Sequence, residues 1–275
     1  MPAARRAGHA YDLPLASAMI TVMSTLRRAS RLLLVVAPLA FTAVGAGGGA
    51  PDALDRLLER HVAARGGREA LRAVRTAKLW GRFYSGPGAP ALAMVELARE
   101  PARVHTWIDF DGRVFEQGWD GREGWVLNPF RGDTLAQPLP PEEAKNVAAG
   151  ADIDGPLVDW RAKHEQMALA GLDTAAGRPA WKLVVTRPDS LVDDYWLDTL
   201  TLMQTKWRAW RTQAGQKVEF ESYFGDYQRV GGVDWALRID SGTPGVPGGQ
   251  HFVFDSVRVG LPLDPSRFER PPARR

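Results

Sequence analysis

The feature that most constrains the fold of this chain is a series of short segments with period-two hydrophobicity, separated by turn sequences. In residues 104–110 the apolar Val104, Ile108 and Phe110 alternate with other side chains, and Asp111-Gly112 follows directly. Over residues 76–127 such turns recur about every 8–12 residues, the spacing of a sheet made of hairpins. Asp-Gly pairs favour tight turns, and alternation places every second side chain on one face of a strand. The pattern therefore predicts an antiparallel sheet.

Strand patterns continue through most of the chain after residue 75. The predicted strands are residues 78–84, 91–99, 104–110, 114–119, 124–127, 181–185, 194–198, 203–210, 218–223, 235–240 and 252–259. The Pro- and Gly-rich residues 243–249 lie between two of these strands and are predicted to form a hairpin loop.

Helical patterns are confined to the start and the middle. Leu54, Leu57, Leu58, His61 and Val62 fall on one face of a predicted first helix, which a Gly-Gly pair would end. Shorter helices are predicted over residues 68–74 and 140–149, and a helix or turn over residues 157–160. The order of helix, strands, helical insert and strands predicts one α+β domain on a large antiparallel sheet, rather than a βαβ array.

The N-terminal segment has the three parts of a secretory signal peptide in order. Three arginines precede an apolar stretch over residues 32–44, and Val44-Gly45-Ala46 supplies small residues for cleavage. The apolar stretch is shorter than the ~20 residues of a membrane-spanning helix, which favours a cleaved signal over an anchor. We therefore predict an N-terminal extension and signal peptide in residues 1–46, cleaved near Ala46, and a single domain in residues 47–275. Export to the periplasm follows, with translation starting at Met1, Met19 or Met23.

The net charge also changes with this division. The whole chain has 35 basic and 32 acidic residues, a net charge of +3. Residues 1–46 contain five arginines and one aspartate, so residues 47–275 hold 30 basic and 31 acidic residues. The predicted mature protein has no charge excess that would attract nucleic acid. The absence of cysteine excludes disulfides, thiolate metal sites and a cysteine nucleophile.

Motifs for catalysis and metal binding are missing from the sequence. It contains no nucleophile elbow, zinc-protease helix or phosphate-binding loop, and the histidines are scattered. Two Asp-x-Asp-Gly runs, at residues 109–112 and 152–155, lack the further ligands of a calcium loop. The pairs Glu142/Glu143 and Asp193/Asp194 are interpreted as solvated surface. We predict no catalytic residues, no metal site and no cofactor, and therefore a protein that is not an enzyme.

Aromatic residues are the remaining unusual feature. The chain has 10 Trp, 10 Phe and 5 Tyr, and some strands carry apolar bulk on both faces. Trp107, for example, lies on the opposite face of its strand from Val104, Ile108 and Phe110. Two interpretations stay open: the second apolar face lines a ligand cavity under the helices, or the aromatic rings only seal a sandwich or pack the helices.

Several segments in the same order resemble the LolA-like family, the outer-membrane lipoprotein-sorting proteins and their LolA/LolB lipoprotein-carrier relatives. The matching segments are Ala64–Gly67 with Ala70-Leu71 and Gly81, Glu100–Val104, Phe115–Trp125 with Asn128-Pro129, Gly177–Leu183, Tyr195–Leu202, Phe224–Val233 and Leu263–Phe268. Within Phe115–Trp125, Asp120, Gly121, Gly124 and Trp125 match the family's Asp-Gly-x-x-Gly-Trp hairpin.

The resemblance implies an unclosed, half β-barrel with short helices packed as a lid on its concave face. It further implies that lipid or lipoprotein acyl chains lie between sheet and helices, with Trp125 at the cavity edge. One face of each strand supplies the other candidate lining residues: Leu79, Phe83, Val104, Ile108, Phe110, Leu183, Val185, Tyr195, Leu197, Phe220, Leu237 and Phe252. A register slip of one residue would turn all of them to the other face.

The leading functional hypothesis is a monomeric, non-enzymatic periplasmic carrier for lipid or lipoprotein acyl chains. Its candidate partners are a membrane lipoprotein-releasing transporter and an outer-membrane acceptor. The alternative is a regulatory or sensor domain of the same fold that binds a protein segment or a lipid signal. A hydrolase on this fold is disfavoured because no nucleophile and base are recognisable.

Overall fold

The computed structural model describes residues 52–213 and 216–272. Within them the strands are β1 Thr76–Tyr84, β2 Leu92–Arg99, β3 Arg103–Phe110, β4 Arg113–Trp119, β5 Gly124–Leu127, β6 Gln137–Pro138, β7 Gln166–Ala175, β8 Arg178–Thr186, β9 Val192–Asp198, β10 Gln204–Gln213, β11 Gln216–Val230, β12 Val233–Gly242 and β13 Gln250–Val259. The helices are α1 Ala53–Ala64, α2 Arg68–Ala73 and α3 Pro141–Gly150, with 3-10 turns at Pro129–Arg131 and Pro265–Phe268.

All of these strands belong to one antiparallel sheet that does not close into a barrel. Its order is β6-β5-β4-β3-β2-β1-β13-β12-β11-β10-β9-β8-β7, so β6 and β7 are the two edges. Most neighbours are consecutive hairpins, but β1 pairs with β13 and thereby joins distant parts of the chain. Across this seam the rings of Phe83 and Phe252 lie 5.2 Å apart. The predicted unclosed half-barrel is confirmed.

Irregular pairing occurs at three places in this sheet. The register shifts between Trp80 and Gly81 in β1, within β7, and at the start of β10. Such bulges bend a strand and increase its twist, which helps a wide sheet to curve. At the first shift the β13 backbone comes so close that a Cβ on Gly81 would lie 2.1 Å from the Val253 carbonyl oxygen. Glycine is therefore required there.

Helix α1 packs on one half of the sheet through its predicted apolar face. All five residues of that face are buried. Leu54, Leu57 and Leu58 lie in one cluster with side chains of β8 and β9, and Val62 joins α2 in a second cluster. His61 is 2% exposed, and its Nδ1 lies 2.7 Å from the Leu202 carbonyl oxygen, so it is a packed histidine. Helix α1 thus fixes the β7–β10 half of the fold.

The structure also contains elements that the sequence pattern does not predict. Strand β7 is a half-exposed edge strand, β6 is a two-residue strand, and β11 continues from Tyr223 to Val230 where the family pattern suggests a turn. Of the helix or turn predicted over residues 157–160, the structure has the turn, with Leu157 and Val158 buried. The hairpin loop at residues 243–249 is confirmed.

The predicted signal peptide in residues 1–46 lies outside the described residues. Within them, no helix is both long enough and apolar enough to span a membrane.

Candidate functional site

A cavity of about 470 Å³ lies between the concave face of the sheet and a covering layer that we call the roof. The roof consists of α3 and residues 152–156. The opposite side of the cavity, which we call the floor, is formed by the sheet and carries apolar side chains from both sides of the β1–β13 seam. Those used below are Leu79, Met94, Val104, Phe252 and Phe254. The volume falls in the range of known small-molecule sites, roughly 300–1,000 Å³.

The roof segment is held in place by a lysine. The Nζ of Lys163 donates to both carboxylate oxygens of Asp152, at 2.9 and 2.8 Å, to the Asp154 carboxylate and, at 2.8 Å, to the Gly155 carbonyl. These groups belong to the second Asp-x-Asp-Gly run, so an ammonium ion takes the place that a calcium ion has in other loops. Burial raises the pKa of Asp154 to about 6, and the neighbouring Asp152 adds to this shift. The run is therefore a structural clamp.

One wall of the cavity carries a buried ionic group that we call the arginine cluster: Arg187, Asp193 and Arg211. Arg211 Nη2 donates to Asp193 Oδ1 at 2.6 Å, and Arg187 Nε donates to Asp193 Oδ2 at 3.1 Å. Asp193 is fully buried and Arg211 is 2% exposed. The Tyr195 hydroxyl lies 3.4 Å from both Asp193 and Arg187, and burial raises its pKa above the ordinary value. All four side chains line the cavity.

A single carboxyl group lies on the floor, on the other side of the seam. Glu96 faces the cavity between Met94 and Ala98 on β2, and Thr106 Oγ1 donates to its Oε2 at 3.2 Å. Burial raises the pKa of Glu96 to about 7, only partly offset by this hydrogen bond. The site therefore combines an apolar floor, a partly protonated carboxyl group and a pair of guanidinium ions. No group of three His, Cys, Asp or Glu suited to a metal ion occurs among the described residues.

The predicted lining residues are distributed unevenly. Leu79, Val104, Tyr195 and Phe252 line the cavity. The others on inward faces pack beside it: Phe83, Ile108, Phe110 and Leu237 with the floor, and Leu183, Val185 and Leu197 with α1. Phe220 is buried on β11 and does not line the cavity. Which of these side chains contact a ligand stays a prediction.

Trp125 does not lie at the cavity edge as the resemblance implied. Its indole Nε1 donates to the Phe268 carbonyl oxygen at 2.8 Å, and its ring centroid lies 4.9 Å from that of His105, on the outer face of the sheet. Its neighbour Val126 faces the cavity instead. Successive residues of a strand point to opposite faces. Trp125 therefore fastens the C-terminal segment to the outside of the sheet.

The sequence reasoning missed the charged residues of the cavity. Asp193 was interpreted as solvated surface but is fully buried, whereas Asp194 points outward and pairs with Lys182 at 2.7 Å. The sequence nevertheless indicates the inward position of both Asp193 and Glu96. Asp193 has the same strand parity as Tyr195 and Leu197, and Glu96 has that of Met94 and Ala98. A charged residue at an inward register position marks a functional candidate, because burying an unpaired charge is costly.

Comparison with solved structures identifies the fold. A LolA superfamily protein, NE2245 from Nitrosomonas europaea, superposes with a TM-score of 0.51 at 13% identity, over 78% of this chain and 96% of that one. A domain described as that of an outer membrane lipoprotein-sorting protein from Vibrio parahaemolyticus gives 0.54 at 12% identity, over 78% and 94%. A DUF1329 family protein from Desulfovibrio piger ATCC 29098 gives 0.54 at 11% identity, over 80% and 98%.

The expected LolA-like resemblance is thus confirmed at the level of the fold. No family model matches the sequence, and no curated protein matches it either.

Proposed function

We propose that this chain is a periplasmic, non-enzymatic carrier that holds a lipid or lipoprotein acyl chain in the cavity. The observation that carries the proposal is the cavity of about 470 Å³ between the apolar floor and the roof. A LolA superfamily protein and a lipoprotein-sorting domain have the same fold, which supports this use of the space. The signal peptide predicted in residues 1–46 would deliver the protein to the periplasm.

The binding energy would come from burying methylene groups. Each one removed from water contributes about 0.8 kcal/mol, so a 16-carbon chain would contribute roughly 13 kcal/mol before entropic costs are subtracted. Release at a useful rate then requires either an opening of the roof or a partner with a better site. A lipoprotein-releasing transporter and an outer-membrane acceptor are the partners that such a cycle would need.

The test fills the cavity from the roof and leaves the sheet intact. Ala149 lines the cavity, whereas its neighbour Ala148 lies beside a separate surface groove. We expect the wild type and Ala148→Trp to bind a fluorescent hexadecanoyl probe, and Ala149→Trp to bind it at least about tenfold more weakly. The two variants add the same side chain to the same helix, so the comparison isolates cavity volume.

Native mass spectrometry of the purified protein provides the second readout. Co-purified lipid would support the carrier. A wild-type protein that stays empty when offered lipids and lipoproteins would contradict it, and would favour a regulatory domain that binds a protein segment.

A further inference from the structure

The arginine cluster is unequal in charge. Two guanidinium ions share the Asp193 carboxylate, and both of its oxygens are engaged. Arg211 also donates through Nη1 to the Trp210 carbonyl oxygen at 3.1 Å, and its guanidinium lies 5.1 Å from the Trp207 ring. These contacts hold Arg211 rigidly against the cavity wall. Two positive charges therefore face one negative charge that is already fully used.

The nearest additional acid forms no hydrogen bond with the cluster. Glu165 Oε1 is 3.9 Å from Arg187 Nη1, too far for a hydrogen bond, and Glu165 Oε2 is buried without a hydrogen-bond partner. Burial raises the pKa of Glu165, and the charge of Arg187 opposes that shift. A buried net positive charge is costly unless an anion is supplied. The cluster thus retains electrostatic capacity for a ligand.

The guanidinium groups also have hydrogen-bonding capacity. The described hydrogen bonds engage two N–H groups on each arginine, fewer than a guanidinium carries. Guanidinium groups bind carboxylate and phosphate through paired, charge-assisted hydrogen bonds. Both arginines line the same cavity as the apolar floor. The cavity is therefore amphipathic, with cationic donors on the β8–β10 wall and hydrocarbon on the β1–β13 side.

We propose that Arg187 and Arg211 bind the anionic headgroup, a carboxylate or phosphate monoester, of an amphiphile whose alkyl chain lies along the floor. This inference rests on the proposed carrier function and adds the ligand's charge to it. Asp193 orients the two arginines. Glu96 is the acid that faces the cavity from β2. A cationic headgroup would bind near Glu96, away from the two arginines.

The test measures the affinities of four ligands with the same 16-carbon chain: hexadecanoate, hexadecyl phosphate, hexadecan-1-ol and hexadecylamine. We expect the wild type to bind the two anions at least about tenfold more tightly than the alcohol. Arg211→Gln leaves Asp193 paired with Arg187 and removes the excess charge, so it should bind anions and alcohol within about threefold of each other. Asp193→Asn adds a net positive charge and should increase the preference for anions.

A control comes from the same strand. Arg208 lies on the outer face of β10, where it pairs with Glu221 at 3.5 Å. Arg208→Gln removes the same charge from the same strand, but outside the cavity, and should retain the wild-type preference for anions. Arg187→Gln, which leaves Asp193 paired with Arg211, provides a second variant should Asp193→Asn fail to fold.

Each outcome separates the inference from the function on which it rests. If all four ligands bind equally well, the headgroup site is wrong while the carrier stands. If none binds, the carrier itself fails. Inorganic phosphate is offered as a competitor and should not displace hexadecyl phosphate at equal concentration. Displacement that depends on Arg211 would indicate a site for free anions and would overturn the proposal that the ligand is an amphiphile.

Discussion

At the residue scale, the cavity depends on charged side chains set among apolar neighbours on inward strand faces. Glu96 and Asp193 both occupy such positions, but they differ in their partners. Asp193 accepts from two arginines, whereas Glu96 accepts one hydrogen bond from Thr106. A buried carboxylate without a cation is unfavourable, and its carboxyl group retains its proton to higher pH. Glu96 should therefore make the stability of the protein depend on pH.

The first prediction concerns this titration. The pKa of Glu96 is about 7 in the fold, against its ordinary 4.5. Between these values the folded protein holds the extra proton, so its free energy of unfolding falls as the pH rises. We expect Glu96→Gln to be more stable than the wild type at pH 8, by up to about 3 kcal/mol, and nearly equal to it at pH 4.5. Urea unfolding at several pH values measures this difference.

The control for this experiment is Glu69→Gln, on the exposed surface of α2. It should follow the pH dependence of the wild type. A difference between Glu96→Gln and the wild type that does not change with pH would contradict the assignment.

The second prediction concerns Gly118, which faces Trp125 across β4 and β5. A Cβ at this position would lie 2.6 Å from the indole Cζ2 atom. Trp125 is fully buried and cannot move aside without losing its bond to Phe268. Gly118→Ala should therefore lower the free energy of unfolding by about 1–3 kcal/mol, measured by thermal or urea unfolding. Gly86→Ala, where the nearest atom is at 3.5 Å, should have little effect; equal losses in the two variants would argue against the clash.

At the element scale, the roof places few buried apolar side chains against the sheet, and Ile153 is the roof residue that packs on the core clusters. Helix α3 buries only Ala144, and Asn146 Nδ2 donates to the Thr212 carbonyl oxygen at 3.3 Å. The adjoining segment depends on Lys163 and its carboxylate partners. Elements with few buried apolar contacts open at lower free energies than the core of a fold. The roof is therefore the part of the fold best suited to open for a ligand.

The third prediction tests the lysine clamp. Lys163→Gln removes the cation that holds Asp152 and Asp154 together, so the two carboxylates would repel each other. We expect faster amide hydrogen exchange over residues 151–158 and little change in the sheet. Lys145→Gln removes an ion pair with Glu142 on the exposed surface of α3 and should be nearly silent. Unchanged exchange in Lys163→Gln would show that the clamp does not hold the roof.

At the scale of the whole molecule, the β1–β13 seam makes the sheet one structure. Strand β1 pairs with β2 on one side and with β13 on the other, so the early and late parts of the chain meet within the cavity floor. Met94, Phe83, Phe252 and Phe254 belong to one apolar cluster across this seam. The apolar floor of the cavity therefore needs side chains from both sides of the seam. The described residues should therefore unfold together.

The fourth prediction follows from the seam. Phe252→Ala removes a buried ring packed against Phe83, and should lower the free energy of unfolding by about 3–5 kcal/mol. Circular dichroism and tryptophan fluorescence should report the same midpoint, because the transition involves the whole sheet. Val253→Ala, on the next and outward-facing position of β13, should cost much less. Two separate transitions in the wild type would contradict a single cooperative sheet.

The sequence by itself determined the class of fold and most of its elements. Period-two alternation and Asp-Gly turns act over a few residues, so they identified the hairpins from β1 to β5 and the apolar face of α1. Strand β7 escaped because it is a half-exposed edge strand, rich in alanine and with no regular alternation. An edge strand packs against fewer neighbours, and its sequence therefore carries a weaker pattern.

Only the tertiary structure decided what the inward faces form together. The sequence placed Tyr195 and Phe252 on inward faces, but it could not show that they line one cavity with Arg187 and Arg211. The strands that carry these residues are distant in sequence, and their meeting depends on sheet order and curvature. Sheet order and curvature also explain why Trp125 lies on the outer face and why Asp193 is buried. Local patterns fix which side of a strand a residue occupies relative to its neighbours, whereas the assembled sheet decides which side encloses the cavity.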